Sequence, residues 1–189
     1  IVFHGNNKTY DELEYAVKSG VGRIIVDNIY ELDMLSSIAQ ANGVEQGIML
    51  RIKPGIDAHT HDFIRTGQID CKFGFALETG EALAAAKLAI EAKSLNLRGL
   101  HCHIGSQIFD ISPFDLAAKV MLTFMAEMKE KYDAAMTELD LGGGFGIKYT
   151  KRDKPLDYGA YIVAVSEVVK GICEEKGLEL PKIIMEPGR

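Results

Sequence analysis

Six short apolar segments, each followed by a helical pattern or a long loop, constrain the fold of this chain more than any other feature. They lie at residues 1–4, 23–28, 47–52, 97–100, 139–141 and 182–185. Strands that are apolar throughout and alternate with helices are typical of a parallel sheet covered on both faces. Six such units in succession predict an α/β fold, an incomplete (β/α)8 barrel of the TIM type with about six of its eight units. An open, doubly wound sheet is the alternative.

The two ends of the chain look cut within such a barrel. The chain begins on the strand-like segment 1–4 without an initiating Met, and it stops at Arg189 directly after a strand. We therefore expect residues 1–189 to be one partial barrel domain, an internal piece of a longer protein whose first two units precede Ile1. A barrel that lacks two strands has open edges, so the isolated chain should be a poor folding unit.

The bulk composition argues against several classes of protein. A net charge of −6 without a dense Lys/Arg cluster is not typical of nucleic-acid binding. No apolar run approaches the roughly 20 residues that cross a bilayer, and no signal-peptide pattern opens the chain. The three cysteines are odd in number and widely spaced, which favours reduced thiols over a disulfide framework; they are Cys71, Cys102 and Cys173. We expect a cytoplasmic protein that acts on a small molecule.

Three of the segments continue into polar or glycine-rich residues at their carboxyl ends. These continuations are His-Cys-His-Ile-Gly-Ser-Gln at 101–107, Leu-Asp-Leu-Gly-Gly-Gly-Phe-Gly at 139–146 and Glu-Pro-Gly-Arg at 186–189. In barrels and in open α/β sheets, ligands bind at the carboxyl ends of the strands. The three continuations therefore predict one shared site.

The glycine run and the acidic continuation both suit an anionic ligand with a cationic ring. Without side chains, the amides of 142–146 can approach an anion closely, although a tight turn explains these glycines equally well. Glu186, at the end of a buried strand, needs a cationic partner, for which a protonated heterocyclic nitrogen would serve. Gly188 and Arg189 add an amide and a guanidinium suited to phosphate or carboxylate. A turn with a salt-bridged Glu is the alternative.

The two imidazoles of the first continuation leave two chemistries open. His101 and His103 are two residues apart on a strand, so their side chains point to the same side. They could be two metal ligands, as in metal-dependent hydrolase barrels, or one could stack on an aromatic ring. Arg51, near the end of the third segment, is either another contact to an anion or cofactor or a neutraliser of an acidic neighbour. Asp140 is interpreted as structural.

Together, the three continuations resemble the pyridoxal phosphate (PLP)-dependent amino-acid decarboxylases of the alanine-racemase-like barrel class, in order as well as in residues. Within that class, Gln107, the loop Asp-Ala-His-Thr-His at 57–61 and Cys-Lys-Phe-Gly at 71–74 are similar to the diaminopimelate decarboxylase branch rather than to ornithine or arginine decarboxylases. The resemblance covers the whole chain. It implies PLP as cofactor, decarboxylation of meso-2,6-diaminopimelate to L-lysine and CO2, and a homodimer at full length.

The resemblance also implies a role for each residue of the site. His103 would stack on the cofactor ring, Glu186 would pair with its nitrogen, and Arg189 would also reach the substrate carboxylate. The remaining cofactor contacts would be Arg51, Ser106, Gly143, Gly144, Pro187, Gly188 and Arg189. Decarboxylation of another basic amino acid or polyamine precursor, or non-catalytic PLP binding, would keep most of these residues.

Two departures from the family pattern matter. The family's lysine that binds the cofactor covalently lies at the end of the first barrel strand, in a segment absent here. The C-terminal β-domain, which contributes further residues to the family's site, is also absent. We therefore expect the chain as given to be unable to decarboxylate.

Overall fold

The computed structural model describes residues 1–56 and 72–188, in which seven strands and five helices are found. The strands are β1 (Val2–Phe3), β2 (Arg23–Val26), β3 (Gln46–Lys53), β4 (Phe75–Ala76), β5 (Leu95–His101), β6 (Glu138–Asp140) and β7 (Lys182–Ile184). The helices are α1 (Tyr10–Lys18), α2 (Ile29–Ala41), α3 (Glu81–Glu91), α4 (Ser112–Tyr132) and α5 (Tyr158–Lys176). None of these helices is long and apolar enough to cross a membrane.

The strands form one parallel sheet in the order β1-β2-β3-β5-β6-β7, which is the order of the chain. A doubly wound sheet reverses its strand order part-way, so this alternative is wrong for the described residues. The six predicted strands are all present, within a few residues of their expected bounds. The short strand β4 was not predicted; it pairs with the end of β3, where Ile52 lies opposite Phe75.

The sheet is strongly curved, as a barrel wall is. His4 directly follows β1 and Glu186 follows β7, yet His4 Nε2 lies 2.5 Å from Glu186 Oε1. In a flat sheet the two edges would be about 24 Å apart, since neighbouring strands are about 4.8 Å apart. Arg23 of β2 likewise pairs with Glu138 of β6, although two strands separate them. Both contacts require the opposite sides of the sheet to curl toward each other.

One hydrophobic core joins all five helices to the convex face of the sheet. It contains Ile24, Val26, Leu50 and Leu100 from the strands, packed with helical residues such as Leu35. Side chains alternate along a strand, so the intervening residues face the concave side. These are Arg23, Ile25, Asp27, Met49, Arg51, Gly99, His101, Glu138 and Asp140. Among the described residues the helices therefore cover the convex face, and the concave face lines the inside of the curved sheet, as expected for a partial barrel.

Local sequence signals explain most helix ends. Thr9 caps α1 with a capping box, accepting from the Glu12 amide while the Glu12 carboxylate accepts from the Thr9 amide. Gly177 ends α5 with φ of 62°, a conformation that glycine adopts without strain. The pair Ser112-Pro113 predicts an N-cap followed by the first helical residue, but Ser112 is instead the first residue of α4. Asp110 Oδ1 accepts from both the amide and the hydroxyl of Ser112, so the capping carboxylate lies two residues earlier.

Candidate functional site

The carboxyl ends of the strands gather six polar side chains on the concave face. They are His4 after β1, Asp27 after β2, Arg51 in β3, His101 in β5, Asp140 in β6 and Glu186 after β7. Parallel pairing puts these ends at one rim of the sheet, since Arg51 lies opposite His101 and His101 opposite Asp140. The structure therefore brings the three predicted strand ends together and adds His4, which sequence reasoning missed. Its signal, a lone histidine after a short first strand, was weak.

Glu186 lies at the centre of this group and carries its negative charge. Its Oε1 is 2.5 Å from His4 Nε2, and its Oε2 is 3.6 Å from His101 Nε2. Burial opposes ionisation, but the nearby imidazoles of His101 and His4 outweigh it and hold the pKa of Glu186 far below its usual range. The side chain remains about one-third exposed, so an anion faces the open side of the site.

Asp140 and His101 are buried beneath Glu186 and are both poorly satisfied. Asp140 is fully buried; its Oδ1 accepts from the Gly142 amide at 2.8 Å, while Oδ2 has no hydrogen-bond partner among the described residues. Burial raises the pKa of Asp140 to about 7, and the nearby charge of Glu186 adds to the shift. Burial lowers the pKa of His101 to about 4, against the attraction of Glu186. At neutral pH His101 is therefore uncharged.

His4, His101, Asp140 and Glu186 also form a donor set of the kind that binds metal ions. One donor atom from each lies within 4.8 Å of the others. This set is larger than the His pair on which the metal interpretation rested. Two ligands of a tetrahedral zinc ion, however, are about 3.3 Å apart for metal bonds of about 2.0 Å. At 2.5 Å, the His4 and Glu186 atoms are too close together to be two such ligands.

His103 presents its imidazole at the exposed side of the same site. It follows β5, and its Nδ1 accepts a long hydrogen bond of 3.4 Å from the Gly143 amide. Burial lowers its pKa, and the positive charge of Arg51 lowers it further. A neutral ring held at one edge by a backbone amide can stack on a flat ligand. The Gly143 amide thus already has a partner within the chain.

The triple glycine is required by close packing of three backbone segments. A Cβ on Gly142 would lie 2.6 Å from the Cys102 carbonyl oxygen, and one on Gly143 would overlap the carbonyl of Glu186. Gly144 has φ of 95°, and its Cβ would overlap the carbonyl of Gly105. This geometry is compatible with both interpretations of the glycine run, a tight turn and a close approach to an anion. The turn brings the 142–144 backbone against the residues that follow β5 and β7.

The remaining predicted contacts lie around the rim. Ser106 is exposed, and so are Pro187 and Gly188. Pro187 and Gly188 border a hollow with Phe145 and Tyr158. Arg189 lies outside the described residues, as do the loop 57–61 and Cys71.

Arg51 has two partners within the chain. Its Nε is 3.7 Å from Asp27 Oδ1, and its guanidinium lies 4.3 Å above the centre of the Phe73 ring. Of the two sequence interpretations, this geometry supports the neutraliser of an acidic neighbour. Arg51 is close enough to influence the pKa of both His101 and His103, so it also contributes positive potential to the site.

Comparison with known proteins agrees with this geometry. A family model described as "Pyridoxal-dependent decarboxylase, pyridoxal binding domain" matches residues 1–189. The chain belongs to this family. It is 45% identical over 189 residues to the diaminopimelate decarboxylase of Bacillus methanolicus and 44% identical to that of Bacillus subtilis (strain 168). All of the chain is aligned, but it spans only 44% and 43% of the length of those two relatives.

Solved structures give the same result for the fold of this chain. The diaminopimelate decarboxylase of M. jannaschii, in complex with L-lysine, matches with a TM-score of 0.90 and 36% identity, over 100% of this chain and 43% of that one. The Helicobacter pylori diaminopimelate decarboxylase complexed with L-lysine matches with a TM-score of 0.84 and 32% identity, over 100% and 45%. The described sheet is thus part of a barrel of the decarboxylase type.

The cofactor of this family is PLP, and the residues of the site fit it. The cofactor has a flat ring, a basic ring nitrogen and a phosphate. Glu186 offers an ionised, partly exposed carboxylate for the nitrogen, and His103 offers a neutral ring. The exposed hydroxyl of Ser106 and the exposed backbone at Gly188 suit the phosphate, since nothing lies within 4 Å of a Cβ built on Gly188.

Proposed function

We propose that this chain is part of the cofactor-binding barrel of a PLP-dependent carboxy-lyase that converts meso-2,6-diaminopimelate to L-lysine and CO2, in lysine biosynthesis. The observation that carries the proposal is the Glu186 carboxylate, which lies where the strand ends converge, with His4 at one oxygen and His101 at the other. The substrate rests on the relatives, whose names specify diaminopimelate and two of whose structures contain L-lysine.

In this proposal each residue of the site holds one part of the cofactor. Glu186 pairs with the ring nitrogen and keeps it protonated, while His103 stacks on the ring. Ser106 and the backbone of Gly144, Gly188 and Arg189 bind the phosphate. When bound, PLP supplies an electron-accepting ring that stabilises the charge left on the α-carbon as the carboxylate departs.

The substrate contacts and the wider setting are also proposals. Arg189 binds the substrate carboxylate, since a guanidinium matches a carboxylate in bidentate geometry. The protein acts in the cytoplasm on a small amino acid, as a homodimer, and without nucleic-acid or membrane partners. The net charge of −6 is consistent with that choice of partners. Sedimentation analysis of the full-length protein measures the dimer directly.

The full-length protein, incubated with PLP and meso-diaminopimelate, tests the reaction. We expect stoichiometric CO2 and L-lysine, and slower turnover of ornithine, arginine and lysine. Faster turnover of one of these would favour decarboxylation of another basic amino acid. Uptake of PLP with no CO2 from any substrate would favour a non-catalytic PLP-binding protein.

Glu186→Ala tests the assigned role of the carboxylate. It should lower turnover by roughly 100-fold or more, because the stabilising charge at the ring nitrogen is lost. The occupancy of PLP should fall much less, because the phosphate contacts remain. Glu186→Gln, which keeps the shape of the side chain without its charge, should behave in the same way. Equal losses of turnover and of occupancy would contradict the role.

A further inference from the structure

The carboxylate of Glu186 is approached by two side chains to which the proposed function assigns no role, one from the opposite edge of the curved sheet and one from an interior strand. His4 comes from the turn after the first strand, and His101 comes from the end of β5. They approach different oxygens of Glu186, His4 at Oε1 and His101 at Oε2. The two histidines also contact each other edge to face, with ring centres 5.0 Å apart. Neither imidazole is needed for the cofactor contacts proposed above.

The nitrogens of the two imidazoles also indicate that Glu186 is their partner. Nε2 of His4 and both nitrogens of His101 are buried and have no well-formed hydrogen bond among the described residues. His101 is only 1% exposed, and a buried imidazole without a partner is costly. The nearest acceptor for each Nε2 is an oxygen of Glu186. A small movement of the Glu186 carboxylate would therefore satisfy both donors at once.

Of the two neighbouring carboxyl groups, Glu186 holds a negative charge more readily than Asp140. Asp140 lies beneath Glu186, and two carboxyl groups that share a site do not both ionise readily. Asp140 is fully buried, and burial raises its pKa to about 7, whereas Glu186 is partly exposed and has the histidines beside it. Arg51 faces the same region from β3 and adds positive potential.

We propose that His4 and His101 are positioning residues for Glu186, each donating an Nε2 hydrogen bond to one of its oxygens, so that the carboxylate stays ionised and in one orientation toward the ring nitrogen of the cofactor. This inference rests on the proposed function, because it gives Glu186 a cofactor to face. Without these donors, the proton shared between Glu186 and the ring nitrogen moves toward Glu186. Each lost donor shifts this equilibrium by roughly ten-fold or more.

The test uses full-length holoenzyme reconstituted with PLP that carries a 15N label at the ring nitrogen. The 15N chemical shift reports ring protonation directly and does not depend on turnover. We expect the protonated signal in the wild-type enzyme. In His4→Leu and His101→Leu the signal should move toward the unprotonated position, and it should move further in the double variant. His4→Gln and His101→Gln keep an amide donor near the Nε2 position, so they should restore most of the wild-type shift.

Tyr161→Phe is the matched control, because it removes another buried hydrogen bond, from the phenol to the Ile108 carbonyl at 3.0 Å, without touching Glu186. Its 15N signal should equal that of the wild type. Leucine variants that bind PLP with an unchanged signal would overturn the inference and leave the proposed function intact. A wild-type protein that takes up no PLP would overturn both. His4 is one-third exposed, so His4→Leu remains informative even when His101→Leu does not fold.

Discussion

The buried ion pair between Lys8 and Glu31 offers the sharpest test of how this fold is stabilised. Lys8 Nζ lies 2.8 Å from Glu31 Oε1, and both side chains are almost fully buried. The same ammonium donates to the carbonyl oxygens of Gly5 at 2.5 Å and Ile25 at 2.8 Å. Lys8→Met would leave two carbonyls without their donor and a carboxyl group without its cation. Breaking a buried pair in this way typically costs about 3 to 5 kcal/mol.

The pH dependence of that cost follows from Glu31. Burial raises its pKa from 4.5 to about 7, against the attraction of Lys8. Because the pKa of Glu31 is higher in the folded than in the unfolded state, the wild-type protein loses stability as the pH rises from 4.5 to about 7, and this loss ends above about 7. Without Lys8 the folded-state pKa rises further, so the variant continues to lose about 1.4 kcal/mol per pH unit above 7. We expect a penalty of about 2 kcal/mol at pH 6 and about 4 kcal/mol at pH 8.5.

Urea unfolding of the full-length protein, followed by circular dichroism at both pH values, measures these penalties. Lys18→Met is the matched control, because Lys18 pairs with Glu14 at 3.0 Å on the exposed surface of α1. An exposed pair of this kind contributes less than about 1 kcal/mol. In the double variant Lys8→Met/Glu31→Leu the pH dependence should disappear. A Lys8→Met penalty that equals that of the control, or that does not change with pH, would refute the reasoning.

Two further predictions concern the glycine turn and the acidic residue at the opposite end of the sheet. Gly144→Ala should destabilise the protein by about 2 kcal/mol or more, because Gly144 has a positive φ and a Cβ there would overlap the Gly105 carbonyl. Gly171→Ala in α5 should stabilise it by about 0.5 to 1 kcal/mol, because a Cβ on Gly171 meets no atom within 4 Å. Thermal unfolding compares the two variants, and equal effects would contradict the packing argument. Hydrogen bonding from Arg23 lowers the pKa of Glu138 below 4.5, so the stabilisation from the ionised Glu138 is present above pH 4.5 and is lost as the pH falls further. Glu138→Gln should therefore reduce the loss of folding stability at acid pH. A stability titration that is unchanged in this variant would contradict the assignment.

The sequence predicted those features that depend on local pattern. The order of strands and helices followed from alternation, and the capping residue Thr9 and the terminal Gly177 were readable from short motifs. In α5 the sequence offers the apolar series Tyr158, Ile162, Val165, Val169 and Ile172, but only part of it faces the core: Val165 is buried, whereas Tyr158 and Ile162 are exposed. A second series on α5, which recurs every four residues from Tyr161 to Cys173, is the one that is buried. Tyr161 decides between them, because its phenol reaches the Ile108 carbonyl and its ring packs against Phe145 and Phe114.

In α4 the recurrence of Leu116, Val120, Phe124 and Met128 every four positions predicts one buried stripe, and the structure again differs in part. Phe124 and Met128 are buried as expected, whereas Leu116 and Val120 are only half-buried. The buried face is instead centred on small and flexible side chains, among them Ala117, Ala118, Met121 and Met125. Helix α4 packs against α5, where the ring of Phe114 meets that of Tyr161, so tertiary contact selected the buried face.

The curvature of the sheet was beyond reach of local pattern, and the missed site residues depend on it. Arg23 and Glu138 are 115 positions apart and are not on neighbouring strands. His4 meets Glu186 only because the first and last strands approach each other. Nothing within one segment of sequence indicates such a pairing, since it requires the register and twist of all the strands between.

The ion pairs of the fold and the geometry of the site are therefore linked through the turn after β1. Lys8 holds the Gly5 carbonyl, and Gly5 is the residue next to His4. A hydrogen bond weakens steeply beyond about 3.2 Å, so a shift of about 1 Å in this turn would separate His4 from Glu186. Among the described residues the polar partners of Lys8 are Gly5, Ile25 and Glu31, and not Glu186, yet loss of Lys8 should alter the orientation of the Glu186 carboxylate. The stability of one edge of the sheet thereby controls the chemistry presented at the other.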